Sequence, residues 1–432
     1  MSCPQGKFCY TGIITFAAIA TGLAIISKGA FTTERGETKN KIGTSNINQN
    51  VDKWPKTGNK HILVAGGAGY IASHTIVCLL AQGYDVTVVD NLVNSNLESI
   101  RRVRMISGCE DARLRVYICD MCNADELEYV FKTSPVFYAS IQFAGLKAVG
   151  ESVSKPLLYY ENNLISTFNL LKLMEKYNCH NIVFSSSATV YGSAAVPITE
   201  TTQVGVGITN PYGRTKYMIE EILSDWHKAH TMSANAAADG IPTARKSVVI
   251  LRYFNPVGAH PSGLIGEDPN GVPNNLMPFV SQVCIGRRPH VNVFGNDYDT
   301  RDGTGVRDYI HVMDLAEGHV SALRFVERPT GNNSGNKLTQ SGNGVYSVFN
   351  LGTGTGVSVL EMINAMSTAS KREIKTVIAP RREGDIATCY ADPTRAKEVL
   401  GWTGNRSLQD MCNDLWKWQS DNPNGYSGKT AN

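Results

Sequence analysis

The chain has 432 residues, 42% hydrophobic and 18% charged, which suits two domains or one large α/β domain with an appendage and excludes disordered and collagen-like chains. Its 41 basic and 38 acidic residues leave a net charge of +3 with no Lys/Arg block, so no nucleic-acid partner is indicated. Ten cysteines are too dilute for a disulfide scaffold, and the 40 glycines cluster in short loops, as ligand-cradling turns do.

In chain order, the N-terminal segment reads apart from the rest. Gly12–Ile26 is an uncharged apolar run between Lys7 and Lys28, short of the ~20 residues that span a bilayer comfortably. It matches the apolar region of a secretory signal, with Ser27 and Gly29 or Ala30 near a cleavage point. An uncleaved signal anchor giving membrane association, or a short hydrophobic tail on a cytosolic (cytoplasmic) protein, fits the same residues. Residues 31–60 are polar and rich in Asn and Thr, a tether. In a secretory compartment Asn332 and Asn405 would be glycosylation acceptors.

From His61 the pattern changes. His61-Ile-Leu-Val-Ala-Gly-Gly reads as a buried parallel strand, followed by a helix with Ala72, Ile76, Leu79 and Leu80 on one face and Gly83 as its stop. Asp85-Val-Thr-Val-Val-Asp90 is a second strand. Gly66, Gly69 and Ala72 form a G-x-x-G-x-x-A inside this strand–helix–strand unit. Gly66 permits the tight turn, Gly69 lets the backbone approach a pyrophosphate, and Ala72 sits where helix meets strand. Asp90 closes the second strand at the spacing of a carboxylate that accepts from ribose hydroxyls. No arginine follows at once, which favours NAD over its 2′-phosphate analogue.

A strand-like run at Leu114–Cys119 ends in Cys119-x-x-Cys122, where no helix start lies between the thiols to lower their pKa, so these are ordinary cysteines. No paired C-x-x-C or H-E-x-x-H occurs, and no metal site is expected. Further strands are expected at 136–145, 181–187 and 247–255, with a helix over Leu164–Tyr177 between them. The alternation predicts a Rossmann-type, doubly wound parallel α/β sheet. Its ligand crevice would be lined by Phe143–Lys147, Ser185–Ser187 and Tyr253–Asn255.

Asn210-Pro-Tyr-Gly-Arg-Thr-Lys216 is a helix start, with Asn210 as N-cap and Pro211 in the first turn. Tyr212 and Lys216 then stack one turn apart, so a cationic lysine would lower the phenol pKa and make Tyr212 a usable base, with Ser187 on the preceding strand end bonding the same sugar oxygen. About one Tyr-x-x-x-Lys arises by chance in such a chain, so the motif gains meaning only beside the dinucleotide fingerprint.

At these residues the chain resembles a known family. GGAGYIASH, VVDNLVNS, FAGLKAVGESV, SSSATVYG, NPYGRTK, LRYFNPVGAHPSG, PNNLMPF, FGNDY, DGTGVRDYIHVMDLA and RREGD follow one another as in UDP-glucose 4-epimerases of the extended short-chain dehydrogenase/reductase superfamily. The likeness runs from about His61 to about Tyr426. Ala72 replaces the usual third glycine, residues 231–246 look like a surface insertion, and the first 58 residues have no counterpart in the common cytosolic enzymes.

The resemblance implies a 59–255 NAD-binding half, a smaller mixed α/β 256–426 half that binds the UDP-sugar and partly returns to the sheet, and a 427–432 tail. Beside Gly66 and Gly69, it implies that Tyr70, Ile71, Asp90, Asn91, Asn94, Ser95, Asp120, Met121, Phe143, Ala144, Gly145, Lys147, Asn162 and Phe254 surround tightly held NAD. Tyr212 would take the 4-hydroxyl proton, Lys216 would bind the nicotinamide ribose and tune Tyr212, and Ser187 would assist, so that all three also border the cofactor and Ser187 and Tyr212 the sugar. Lys147, Asn255, Asn275, Leu276, Phe294, Arg307, Tyr309, Arg382, Asp385 and Cys389 would hold the UDP-sugar. Cys389 matches a position where a small side chain leaves room for an N-acetyl group, which extends the substrates to UDP-N-acetylglucosamine and UDP-N-acetylgalactosamine. A homodimer is the family's assembly. The rival readings are a UDP-xylose/UDP-arabinose 4-epimerase and a catalytically silent NAD-binding regulator. A nucleotide-sugar dehydratase would want a carboxylate beside Ser187, and Ser187-Ala188-Thr189 has none.

Overall fold

A computed structural model describes residues 57–109, 111–236, 246–328, 344–382 and 384–428. The apolar run at 12–26, its destination and Asn332 lie outside the described residues. Asn405 is exposed. Among the described residues no helix is long and apolar enough to cross a membrane.

The first half is a run of alternating strands and helices: β1 (His61–Ala65), α1 (Tyr70–Ala81), β2 (Asp85–Asp90), α2 (Leu97–Ser107), β3 (Leu114–Ile118), α3 (Ala124–Thr133), β4 (Ala139–Gln142), α4 (Val149–Ser154), α5 (Pro156–Lys176), β5 (Asn181–Ser187), α6 (Pro211–Ala236) and β6 (Ser247–Tyr253). Beyond it come β7 (Asn255–Val257), α7 (Leu276–Cys284), β8 (Val291–Phe294), β9 (Val306–His311), α8 (Val312–Glu327), β10 (Tyr346–Leu351), β11 (Gly356–Ser358), α9 (Val359–Ser370), β12 (Thr376–Ala379), β13 (Thr388–Cys389) and α10 (Leu408–Asp421).

Seven strands form one parallel sheet in the order β10-β6-β5-β4-β1-β2-β3. The fold class expected from the sequence holds. Strands β1, β2 and β6 are buried along their whole length, as continuous apolar runs covered on both faces must be. One face packs on α1, α2 and α8 around Ile76, Leu79, Val103 and Leu323; the other packs on α3, α5 and α6 around Leu127, Leu170 and Leu223. A third core, with Met277, Val293, Met366 and Trp418, belongs to α7, α9, α10 and the small strands. There β9 pairs with β7, β11 and β13, and β8 pairs with β12.

Local sequence sets the helix ends. Asn96 and Asn123 cap α2 and α3 with side-chain oxygens, Gly108 ends α2 in the left-handed region, and Ser358/Glu361 and Ser407/Asp410 are reciprocal capping boxes on α9 and α10.

Four expectations shift in detail, the first being the helix read over Leu164–Tyr177, which begins earlier and spans Pro156–Lys176. The strand read over 136–145 is only Ala139–Gln142, because Phe143 to Lys147 leave it as a turn. The run 247–255 breaks at Phe254, where the chain passes from the large sheet to the small one. Residues 231–236 of the expected insertion continue α6 as helix.

Candidate active site

The order of the sheet reverses beside β1, whose neighbours β2 and β4 lead away on opposite sides, and a crevice opens beyond the C-terminal strand ends. One cavity occupies it, lined by the turn after β1, the ends of β2 and β4, and the start of α6. Gly66 has φ +74°, and a Cβ there would come 2.7 Å from the backbone nitrogen of Ala144, so the turn tolerates only glycine. Gly69 begins α1 with no side-chain cap and no acidic residue in the first turn. The positive end of the helix therefore faces the cavity with its own backbone donors, the arrangement that holds a pyrophosphate.

Asp90 organises the adjoining loops. One of its oxygens accepts from Ala68 N–H at 3.0 Å; the other accepts from Leu92 N–H at 2.9 Å and Ser95 Oγ at 2.7 Å. Asn91, Asn94, Ser95, Asp120, Met121, Phe143, Ala144, Gly145, Lys147 and Asn162 all line the same cavity, as do Gly66, Gly69, Tyr70 and Ile71. The donors, the glycine turn and the carboxylate fit a dinucleotide. Cys119 and Cys122 are pushed up to about 12 and 11 by burial, so neither is an activated thiol.

Asn210 caps α6, accepting from Gly213 N–H at 2.8 Å, and this places Tyr212 and Lys216 on the cavity wall. Lys216 Nζ donates to the Ser185 carbonyl at 2.6 Å and to Ser185 Oγ at 3.3 Å, and lies 5.9 Å from the Tyr212 ring centroid. Ser187 ends β5, and its Oγ accepts from Thr189 N–H at 3.2 Å. Burial pushes the Tyr212 phenol up to about 12, with the Ser187 hydroxyl working against it, and pushes Lys216 down to about 7, with Glu220 working against that. The lowered tyrosine expected from sequence is therefore not found in the protein alone. The ammonium is anchored at Ser185 rather than at the phenol oxygen.

Glu220, one turn beyond Lys216, is buried and forms a forked pair with Arg252 at 3.0 and 2.6 Å. It also accepts from Ser186 Oγ, while Arg252 donates to Tyr191 OH at 2.9 Å. This network fastens α6 to β5 and β6 beside the reacting groups.

Apart from Lys147, the further residues read as sugar-binding form a second group beyond the cavity lining. Asn255 and Tyr309 are paired neighbours on β7 and β9, as are Arg307 and Cys389 on β9 and β13. Arg382 forks onto Asp385 at 2.8 and 3.2 Å and lies 5.0 Å from the Phe294 ring centroid. Asn275 heads α7, next to Leu276, but its amide donates to Glu267 Oε1 at 3.1 Å instead of capping the helix. Lys147 meets the same oxygen at 3.3 Å, which joins the two groups. Phe254, read as cofactor-binding, does not line the cavity and is instead buried with Val190, Ile198 and the second group's Cys389.

Gly266–Pro269 and Tyr426 also line the cavity, from segments remote in sequence, and none of them is among the residues expected from sequence. Nothing local marks them, although they flank quoted blocks. Nor is Gly67 among those expected, where a Cβ would come 2.7 Å from Val88 Cγ1.

A family model described as GDP-mannose 4,6 dehydratase matches residues 63–415. The UDP-glucose 4-epimerase of Bacillus subtilis (strain 168) is 54% identical over 366 residues, 84% of this chain and 98% of that protein. UDP-glucose 4-epimerase 2 of Arabidopsis thaliana is 51% identical over 372 residues, 86% of this chain and 98% of its own. The crystal structure of UDP-glucose 4-epimerase from Bifidobacterium longum in complex with NAD+ and UDP matches with a TM-score of 0.75 at 48% identity, covering 85% of this chain and 100% of that one. Shared along nearly the full length of each relative, the likeness reaches past the dehydratase description to one group of enzymes: the chain belongs to the UDP-glucose 4-epimerase family.

Proposed function

We propose that this protein interconverts UDP-galactose and UDP-glucose through a 4-keto intermediate, using tightly held NAD, with residues 59–255 as the cofactor half and 256–426 as the sugar half. The observation that carries the reading is the placing of Tyr212 and Lys216 on the wall of the cavity built by Gly66, Gly69 and Asp90. When bound, NAD supplies the acceptor for the sugar's C4 hydride and returns it, so it is regenerated in each turnover.

The protein's own groups do the rest. Tyr212 removes the 4-hydroxyl proton and gives it back, assisted by the Ser187 hydroxyl. In the protein alone the phenol is a poor base, so the site must stabilise the phenolate when loaded; a cationic nicotinamide nearby would do this, and so would Lys216 in its ammonium form, which burial works against and Glu220 supports. The Ser185 carbonyl holds Lys216 on the cavity wall, where it would serve the cofactor ribose. On the sugar side Arg307 and Arg382 would pair with the diphosphate, Asp385 would accept from ribose hydroxyls, and Phe294 would offer an apolar face. Asn255, Asn275, Leu276 and Tyr309 would complete the pocket.

Cys389, small and buried beside Arg307, supports acceptance of the N-acetyl sugars as well. Cys389→Tyr should then abolish epimerisation of UDP-N-acetylglucosamine while sparing UDP-galactose; retention of both activities would reject this extension.

Assembly as a homodimer is supported by exposed apolar side chains on α4–α6, among them Val153, Leu158, Ile165, Phe168 and Met218, with Leu157 72% exposed. Light scattering of the parent and of Phe168→Glu would test it. Membrane association through residues 12–26 is supported by sequence alone, and detergent-phase partitioning would test it.

The deciding experiment incubates the full-length protein with UDP-galactose and no added NAD and measures UDP-glucose. A fixed equilibrium ratio is expected. A folded protein that gives no product even with NAD added would sink the reading.

A further inference from the structure

If NAD is regenerated in every turnover, its escape rate and the turnover rate are separate properties, and different residues can set them. The cavity's fourth wall is the segment Gly266–Pro269, which belongs to the loop between β7 and α7. It closes against the cofactor half at two points. Asn270 Nδ2 donates to the Val93 carbonyl, in the loop after β2, at 3.1 Å, and Glu267 Oε1 meets Lys147 at 3.3 Å. Both carboxylates of the wall are occupied by the protein, since Asp268 accepts from Tyr426 N–H at 2.7 Å and Glu267 also takes the Asn275 amide. They do not confront a diphosphate as bare charges.

Behind the wall lies a stiff brace. Trp418 of α10 packs so closely that a Cβ on Gly266 would come 2.4 Å from its ring, and its Nε1 donates to the Glu267 carbonyl at 3.3 Å. Tyr426 OH accepts from Gly266 N–H at 3.2 Å and donates to the Gly266 carbonyl at 3.1 Å. Arg102, on α2 of the cofactor half, locks the brace in place. Its Nη1 donates to the Leu264 carbonyl at 2.9 Å and to Asn422 Oδ1 at 2.7 Å, while Nε meets Glu98 at 2.7 Å. The buried guanidinium also lies 5.2 Å from the Tyr426 ring centroid and 5.7 Å from that of Trp418.

We propose that Gly266–Asn270 is a cofactor-retaining wall, braced by α10 and Tyr426, with Arg102 as the positioning residue that fixes how rarely the wall opens. The inference rests on the proposed NAD cofactor. Arg102 does not line the cavity, so its part is to set release of the dinucleotide and not the chemistry inside.

The test counts NAD bound to purified full-length protein and follows its loss after rapid desalting. Arg102→Met, which removes a buried guanidinium together with its three hydrogen bonds, should release NAD at least about tenfold faster, and excess NAD should restore its kcat to the parent value. Tyr426→Phe and Asn270→Ala should release it about two- to fivefold faster, each through the loss of a hydrogen-bonding side chain at the wall. If Arg102→Met does not fold, these two decide. Release at the parent rate in every folded variant would overturn the proposal. Faster release with a kcat that excess NAD fails to restore in folded Arg102→Met would also overturn it, because Arg102 would then act on the chemistry. A parent protein that carries no NAD would instead overturn the cofactor reading beneath it.

Discussion

The two groups of site residues are built in opposite ways. The dinucleotide side is made of strand ends, a glycine turn and a helix terminus, with Asp90 tying adjacent loops together before any ligand arrives. On the sugar side, long side chains on loops and short strands satisfy one another, as Arg382 does with Asp385. An exposed pair of that kind contributes only ~0–1 kcal/mol and is easily exchanged for a ligand's charges. On the proposed reading, a cofactor that stays would meet rigid backbone, and a substrate that rotates and leaves would meet side chains that can let go.

The contrast can be broken or sharpened by substitution. The largest effect is expected at Tyr212→Phe, which keeps the ring and removes the acid–base group. Its kcat should fall by about 10²–10⁴-fold while bound NAD is unchanged, as turnover assays and nucleotide counts would show. Glu220→Leu strands the buried Arg252 and should cost about 3–5 kcal/mol in urea unfolding. Replacing both partners with apolar residues should recover much of that loss. Gly66→Ala places a Cβ against Ala144 at φ +74° and should cost about 1–3 kcal/mol along with the retained NAD. The smallest stability effect belongs to the sugar side: Arg382→Ala should raise the KM for UDP-galactose about tenfold, as loss of a charged hydrogen-bonding partner does, with unfolding shifted by less than about 0.5 kcal/mol. Were Arg382→Ala to unfold the protein or Gly66→Ala to leave NAD content untouched, the contrast would be wrong.

The same division explains what the sequence made legible. Gly66, Gly69 and Asp90 are constrained by backbone geometry at short range, so their spacing alone points to a dinucleotide and to the parallel sheet around it. Strands such as Asn181–Ser187 and Asp85–Asp90 could be read to the residue because their short β-branched and apolar stretches are bounded by polar residues at each end. Phe294, Arg307 and Arg382 look like any surface residues until a resemblance marks them, since they belong to two short strands and a loop that are separated in sequence. The direction of the Tyr212 shift was hidden for a related reason: helical spacing says that Lys216 lies one turn away, but not that its ammonium is claimed by Ser185. Gly266–Pro269 and Tyr426 were missed because a wall assembled from two remote segments leaves no local periodicity.

Asp90 has one further consequence. Its two oxygens already hold three donors at 2.7–3.0 Å, so a phosphate on the cofactor's 2′ oxygen would meet a fixed negative charge that cannot turn aside without dismantling two loops. On the proposed reading, the protein is thereby insulated from the phosphorylated pyridine nucleotides that cells keep reduced for biosynthesis. Sugar interconversion would then proceed at the same pace whether that reducing pool is full or drained.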